Sequence, residues 1–226
     1  MSADRFGGFG ADALNFLRAL DFHQSREWFA ENRALYEREL REPLLAFCEE
    51  AAVIARNAGF DVVFDRKKGP FRINRDVRFL KDKRPYNRHV SAVLSPEGTK
   101  GSFGVLYVYI GLEECFFAAG YWALPKDELN LFRRHVLTYP ERYHAMLDRL
   151  GDAGLALDEA NCLKRTPRGW DEPDDERSAH ALRLRGFTVD RPIRQDAIFD
   201  RSLLNALEGF AQDAVPLMSW GAPILR

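Results

Sequence analysis

The chain has 226 residues, of which 46% are hydrophobic and 12% aromatic, a composition that supports one domain, 1–226, with a substantial buried core. Its 33 Lys and Arg against 34 Asp and Glu leave a formal charge of −1, which excludes a long-range field favouring nucleic acid or an anionic membrane. No secretory leader and no run of roughly 20 apolar residues is legible, so the expected setting is cytoplasmic, with no membrane partner.

Residues 1–10 contain the run FGGFG and read as a flexible lead-in. The run lacks the GKS or GKT of a phosphate loop and the preceding strand of a dinucleotide fold, so no nucleotide-cofactor motif is present. Leu14, Phe16, Leu17 and Leu20 are spaced for a short amphipathic helix over 12–20. Ser25 is placed to cap a second helix carrying Trp28, Phe29, Leu35, Tyr36 and Leu40 on one face. Pro43 interrupts that pattern, and a further helix is expected from there to Asn57, with Gly59 as its stop.

From residue 60 the pattern turns to short β-rich runs at 60–64, 70–79, 88–94, 103–110 and 114–120, the last two close enough for a hairpin. Helices are expected over 126–137 and 141–150, surface loop over 151–176, a strand within 182–190 and a helix over 201–214. The predicted fold class is α+β, an antiparallel sheet packed against N-terminal and C-terminal helices.

Cys48, Cys115 and Cys162 are far apart and form no CxxC pair, and the five histidines show no HxxxH or HxH spacing, so neither a disulfide framework nor a zinc motif is indicated. Chemistry concentrates instead in FRINRDVRFLKDKRPYNRH, residues 71–89. Read as a strand, it sets Phe71, Ile73, Arg75, Val77 and Phe79 on one face and Arg72, Asn74, Asp76 and Arg78 on the other, followed by Lys81, Asp82, Lys83 and Arg84. A core-facing Arg75 needs a carboxylate; Asp76 points the opposite way, leaving Glu27 or Glu31 as candidates. Two readings follow. In one, the charges form an ion-pair network knitting sheet to helix. In the other, Arg72, Arg75, Arg78, Lys83 and Tyr86 bind a phosphate or carboxylate group, because the guanidinium fork matches such anions. Asp76, Asp82 and His89 are then the candidate acid-base residues, and the surrounding cations speak against a metal at Asp76 and Asp82.

The segment RINRDVRFLKDKRPY, 72–86, resembles the signature of a conserved bacterial and fungal family, domain of unknown function 2461. REWFAENRALYERELREPL (26–44), AAGYWALPKDEL (118–129), LKRTPRGWDEP (163–173) and RLRGFTVDRPI (183–193) extend the similarity over most of the chain in order. The resemblance implies no established reaction. It departs at DFHQS (21–25), where paired asparagines are usual, and at Asn87, where a lysine is usual. It implies a meeting of Arg26, Glu27 and Trp28, the 72–86 block, and a late basic loop with Arg165, Arg168 and Gly169. It also implies that Gly120, Tyr121 and Trp122 line an aromatic pocket.

The expected function is binding of an anionic small molecule at the arginine cluster, with catalysis left open because no GxSxG, HExxH or P-loop motif is present. The alternatives are a non-catalytic protein-interaction module and nucleic-acid binding, the latter opposed by the balanced charge.

Overall fold

A computed structural model describes residues 5–79 and 81–225. Four strands, β1 (His89–Leu94), β2 (Val105–Gly111), β3 (Cys115–Tyr121) and β4 (Phe187–Pro192), form one antiparallel sheet in the order β1-β2-β3-β4. The expected hairpin joins β2 to β3, closed by the Gly111 N–H on the Glu114 carbonyl at 3.0 Å. With α1 (Ala13–His23), α2 (Arg26–Glu31), α3 (Arg33–Tyr36), α4 (Glu42–Ala58), α5 (Lys126–Thr138), α6 (Pro140–Asp152), α7 (Glu176–Arg183) and α8 (Ser202–Gly221), the architecture is the α+β class read from the sequence.

Strand alternation gives the sheet two unlike faces. Val90, Ala92, Leu106, Val108, Phe117, Ala119 and Val189 point inward, where α4 and α8 cover them. Phe117 stacks on Phe47 of α4 and on Phe210 of α8, each at 6.0 Å between ring centres, so one strand residue ties both helices to the sheet. Burying such a ring contributes about 1.5–3 kcal/mol. A second aromatic group, Phe132, Tyr143, Phe187 and Trp220, joins α5, α6 and α8 to β4.

Two expectations are corrected. The stretch before α1 is packed rather than loose over its described part: Phe6 and Phe9 are buried, and the Phe9 N–H donates to Ile198 at 2.8 Å. Gly8 has φ +120°, and a Cβ there would lie 2.1 Å from the Phe199 carbonyl oxygen, so glycine is what lets this strap lie flat. Residues 1–4 lie outside the described residues. The helix expected from Pro43 to Asn57 is α4, with Pro43 in its first turn, and it follows a π-helical turn, Glu37–Arg41, in which the Glu42 N–H reaches the Glu37 carbonyl. Runs 60–64 and 70–79 are not strands; they touch β1 and its end only through isolated bridges, Val63 to Ser95 and Pro70 to Ala92. Gly59 does stop α4, with φ 106°, and the Ser25 hydroxyl accepts the Trp28 N–H at 3.1 Å.

Candidate functional site

The basic stretch is an excursion at the β1 edge. The Phe71 N–H donates to Ser91 at 2.9 Å and runs the chain alongside β1. The Arg75 N–H then meets the Pro85 carbonyl and the Asn87 N–H meets Ile73, both at 2.8 Å, with Asn74 bridged to Tyr86. These bonds pinch residues 73–87 into a hairpin-like loop, and the regular alternation assumed from the sequence ends there. Phe79, expected on the buried face, is 93% exposed, whereas Ile73 is buried.

Within this loop most charges are consumed. Arg75 does not use Glu27 or Glu31: it is partly buried and donates to Asp82 at 2.8 Å and to the Arg84 carbonyl at 3.3 Å. Asp82 also pairs with Arg84 at 2.9 Å, Arg84 with Asp21 at 3.0 Å, Asp21 with Arg88 at 3.6 Å, and Arg88 with Glu113 at 2.9 Å. This chain of ion pairs links the end of α1 to the β2–β3 turn. Arg78 is spent on its neighbour Asp76 at 2.6 Å, and the Lys83 ammonium donates to the Val77 and Arg78 carbonyls, closing the loop on itself. Hydrogen bonds from Arg84 and then Arg75 hold the Asp82 carboxyl far below the usual range, and Arg78 does the same, less strongly, for Asp76. Neither carboxylate is a proton acceptor of use at neutral pH.

Tyr86 belongs to the core. It is buried, stacks on Phe29 at 4.6 Å, and has its backbone N–H and carbonyl clamped by the side-chain amide of Gln24 at 3.1 and 3.3 Å. Gln24 lies in the DFHQS turn, so the N-terminal helices do meet the 72–86 block, through a residue the sequence reading passed over. The late basic loop does not join them. Its Leu163 N–H is held by Arg183, and the preceding Asp158 N–H by Thr188 of β4, at the opposite edge of the sheet from β1. Arg165 and Arg168 are exposed there. The proposed aromatic pocket at Tyr121 and Trp122 is also absent: Tyr121 is buried with its hydroxyl on the Met218 carbonyl at 2.8 Å, and Trp122 is 68% exposed.

What the structure brings together is an open cleft of about 570 Å³ on the outer side of β1, lined by Arg72, Arg75, Asp76, His89, Lys100 and Tyr107, together with Phe71, Asn74, Asn87 and Ser91. Arg72 and Lys100 have no carboxylate partner among the described residues. Lys100 sits over the Phe71 ring at 4.9 Å, and its pKa is lowered first by burial and then by the charge of Arg72. His89 stacks on Tyr109 at 4.2 Å; burial, then Arg88, lowers its pKa to about 4, so its imidazole is neutral at pH 7. Burial raises the Tyr107 phenol. Sequence reasoning missed Lys100, which lies in a turn with no periodic signal. Tyr107 was legible: in VLYVYIG two tyrosines alternate with Leu106, Val108 and Ile110, a pattern that puts aromatic rings on the face opposite the core.

Elsewhere, Ser178, His144 and Asp175 cluster at the start of α7, yet Asp175 and Ser178 both meet the same nitrogen, Nε2, of His144 at 2.8 and 3.4 Å. A catalytic triad needs one partner on each ring nitrogen. Asp175 is the helix cap, accepting the Ser178 N–H at 2.8 Å.

The family described as Conserved hypothetical protein (DUF2461) matches residues 12–220. The chain belongs to that family. No curated protein and no solved structure matches it. In this DUF2461 chain, the matched span holds both the ion-pair chain and the cleft, while the Phe6 and Phe9 strap precedes it. Among the described residues, no helix is long and apolar enough to cross a membrane.

Proposed function

We propose that the protein binds a small anion, a phosphate or carboxylate group, between Arg72 and Lys100 in the cleft beside β1. The observation that carries this reading is the pair itself: Arg72 and Lys100 line one cleft, the charge of Arg72 adds to burial in lowering the Lys100 pKa, and neither has an ion-pair partner among the described residues, the Asp76 carboxylate at the same cleft being taken by Arg78. An anion placed between them converts that repulsion into two charge-assisted hydrogen bonds. Arg75, whose guanidinium is already oriented by Asp82, lines the same cleft and offers further donors. Asn74 and Asn87 supply neutral polar groups at its wall. The proposal is for binding; the neutral His89 is the residue through which any proton transfer would pass. A cytoplasmic setting suits the three free cysteines.

The test is calorimetric titration of the parent, Arg72→Ala and Lys100→Ala with inorganic phosphate. The expected result is about tenfold weaker binding in either variant with an unchanged melting temperature. Absence of phosphate binding to the parent, or equal affinity in all three, overturns the reading.

A second reading, a protein-interaction surface, rests on two exposed rings, Phe22 (86%), which follows Asp21 of the ion-pair chain, and Phe79 (93%), which lies under the Arg78 guanidinium. Double substitution to serine leaves phosphate binding intact if that surface is separate from the cleft.

A further inference from the structure

The outer face of the sheet carries more than cations. Register places His89, Ser91 and Val93 of β1 beside Tyr109 and Tyr107 of β2, and these beside Phe116 and Ala118 of β3. His89, Tyr109 and Phe116 form a continuous stack across three strands, with centroid separations of 4.2 and 4.9 Å. Tyr107 leans on Phe116 at 6.0 Å and meets the edge of Phe71 at 5.8 Å. The helices α4 and α8 cover the opposite face, so these rings are only half-buried. One face of His89 is taken by Tyr109, and the rest of the ring borders the cleft with Tyr107. The stack therefore ends at an open cleft that Arg72 and Lys100 also line.

We propose that the ligand is an aromatic anion, a planar ring joined to a phosphate or carboxylate, with the ring continuing the stack at His89 and Tyr107 and the anion between Arg72 and Lys100. The inference rests on the anion reading above and adds the chemistry of the rest of the molecule. A neutral imidazole suits ring stacking, since it brings no charge that must be desolvated. The cleft volume of about 570 Å³ accommodates a single substituted ring with its anionic group. The balanced net charge and the few cations that line the cleft, Arg72, Arg75 and Lys100, fit one small molecule rather than a polyanion.

Calorimetric titration of the full chain with phenyl phosphate, cyclohexyl phosphate and inorganic phosphate tests this. Phenyl phosphate is expected to bind about tenfold tighter than inorganic phosphate and tighter than cyclohexyl phosphate. In Tyr107→Leu, and independently in His89→Ala, the ratio of phenyl to inorganic phosphate affinity is expected to collapse toward one. Equal binding of phenyl and inorganic phosphate by the parent overturns the ring and leaves the anion site standing. No binding of any of the three overturns both. Affinity that climbs with the length of a single-stranded oligonucleotide, beyond that of its mononucleotide, also overturns the small-molecule assignment.

Discussion

Arg72 and Arg78 stand six residues apart in one basic stretch, and the fold treats them in opposite ways. Arg78 is on the outer loop, gripped by Asp76 at 2.6 Å, while Arg72 lines the cleft with Lys100 and has no ion-pair partner among the described residues. Arg75 stands between the two regimes, fixed by Asp82 on one side and bordering the cleft on the other. A dense run of cations and carboxylates is thus neither all network nor all site. The backbone turn at 73–87 sorts it, turning one set of charges toward each other and leaving another turned toward an opening.

The largest expected effect tests whether Tyr86 belongs to the network side. Tyr86→Ala removes the ring stacked on Phe29, and chemical denaturation should show a loss of about 3 kcal/mol. A near-neutral change would return Tyr86 to the ligand. Next comes Arg72→Ala, for which phosphate affinity should fall about tenfold with no loss of stability. A drop in melting temperature would mean that Arg72 has a structural partner. Arg75→Ala should do the reverse in part, lowering the melting temperature by about 2–4 °C, since it strips Asp82 and the Arg84 carbonyl of a donor.

His89 sharpens the comparison through pH. Folded His89 titrates at about 4 against 6.5 for an unperturbed imidazole, so the unfolded chain takes up the proton first as pH falls. Its contribution is intact above pH 6.5 and is lost as pH drops from there toward 4. Imidazole resonances followed by NMR should show the low titration, and His89→Gln should flatten that stretch of the stability profile. The smallest effect is expected for Arg165→Ala and Arg168→Ala, which lie toward the far edge of the sheet. Phosphate affinity should stay within about twofold of the parent by the same titration.

The sequence reveals those parts of this arrangement that depend on local spacing. The Ser25 cap, the Gly59 stop, the β2–β3 hairpin and most helices follow from periodicity and punctuation. Residues 60–64 and 70–79 look β-rich because Phe, Val and Ile alternate there, but pairing needs a continuous partner, and these runs meet β1 and its end only at single bridges. The candidate site was half legible for the same reason. Arg72, Arg75 and His89 were visible as residues, while Tyr107 reaches them through the register of β1 and β2 and Lys100 through the turn between those strands, and Arg165 and Arg168 were drawn in by the family resemblance. Which carboxylate Arg75 takes depends on the turn that brings Asp82 back, seven positions later, and no periodicity encodes that.

The N-terminal strap carries a consequence for how the chain is made. The Arg201 guanidinium donates to the Phe6 carbonyl at 2.7 Å across a sequence separation of 195, and Glu50 grips the same guanidinium at 2.7 Å. At synthesis rates of about 5–20 residues per second, that separation corresponds to roughly 10–40 s between the two partners leaving the ribosome. Until then, the hydrophobic anchors Phe6 and Phe9 lack the Phe199–Arg201 segment that seats them. The strap is a late-closing contact: Phe47 and Glu50 can meet Phe6 early, but the seat at Ile198–Arg201 arrives only near the end of the 195-residue separation.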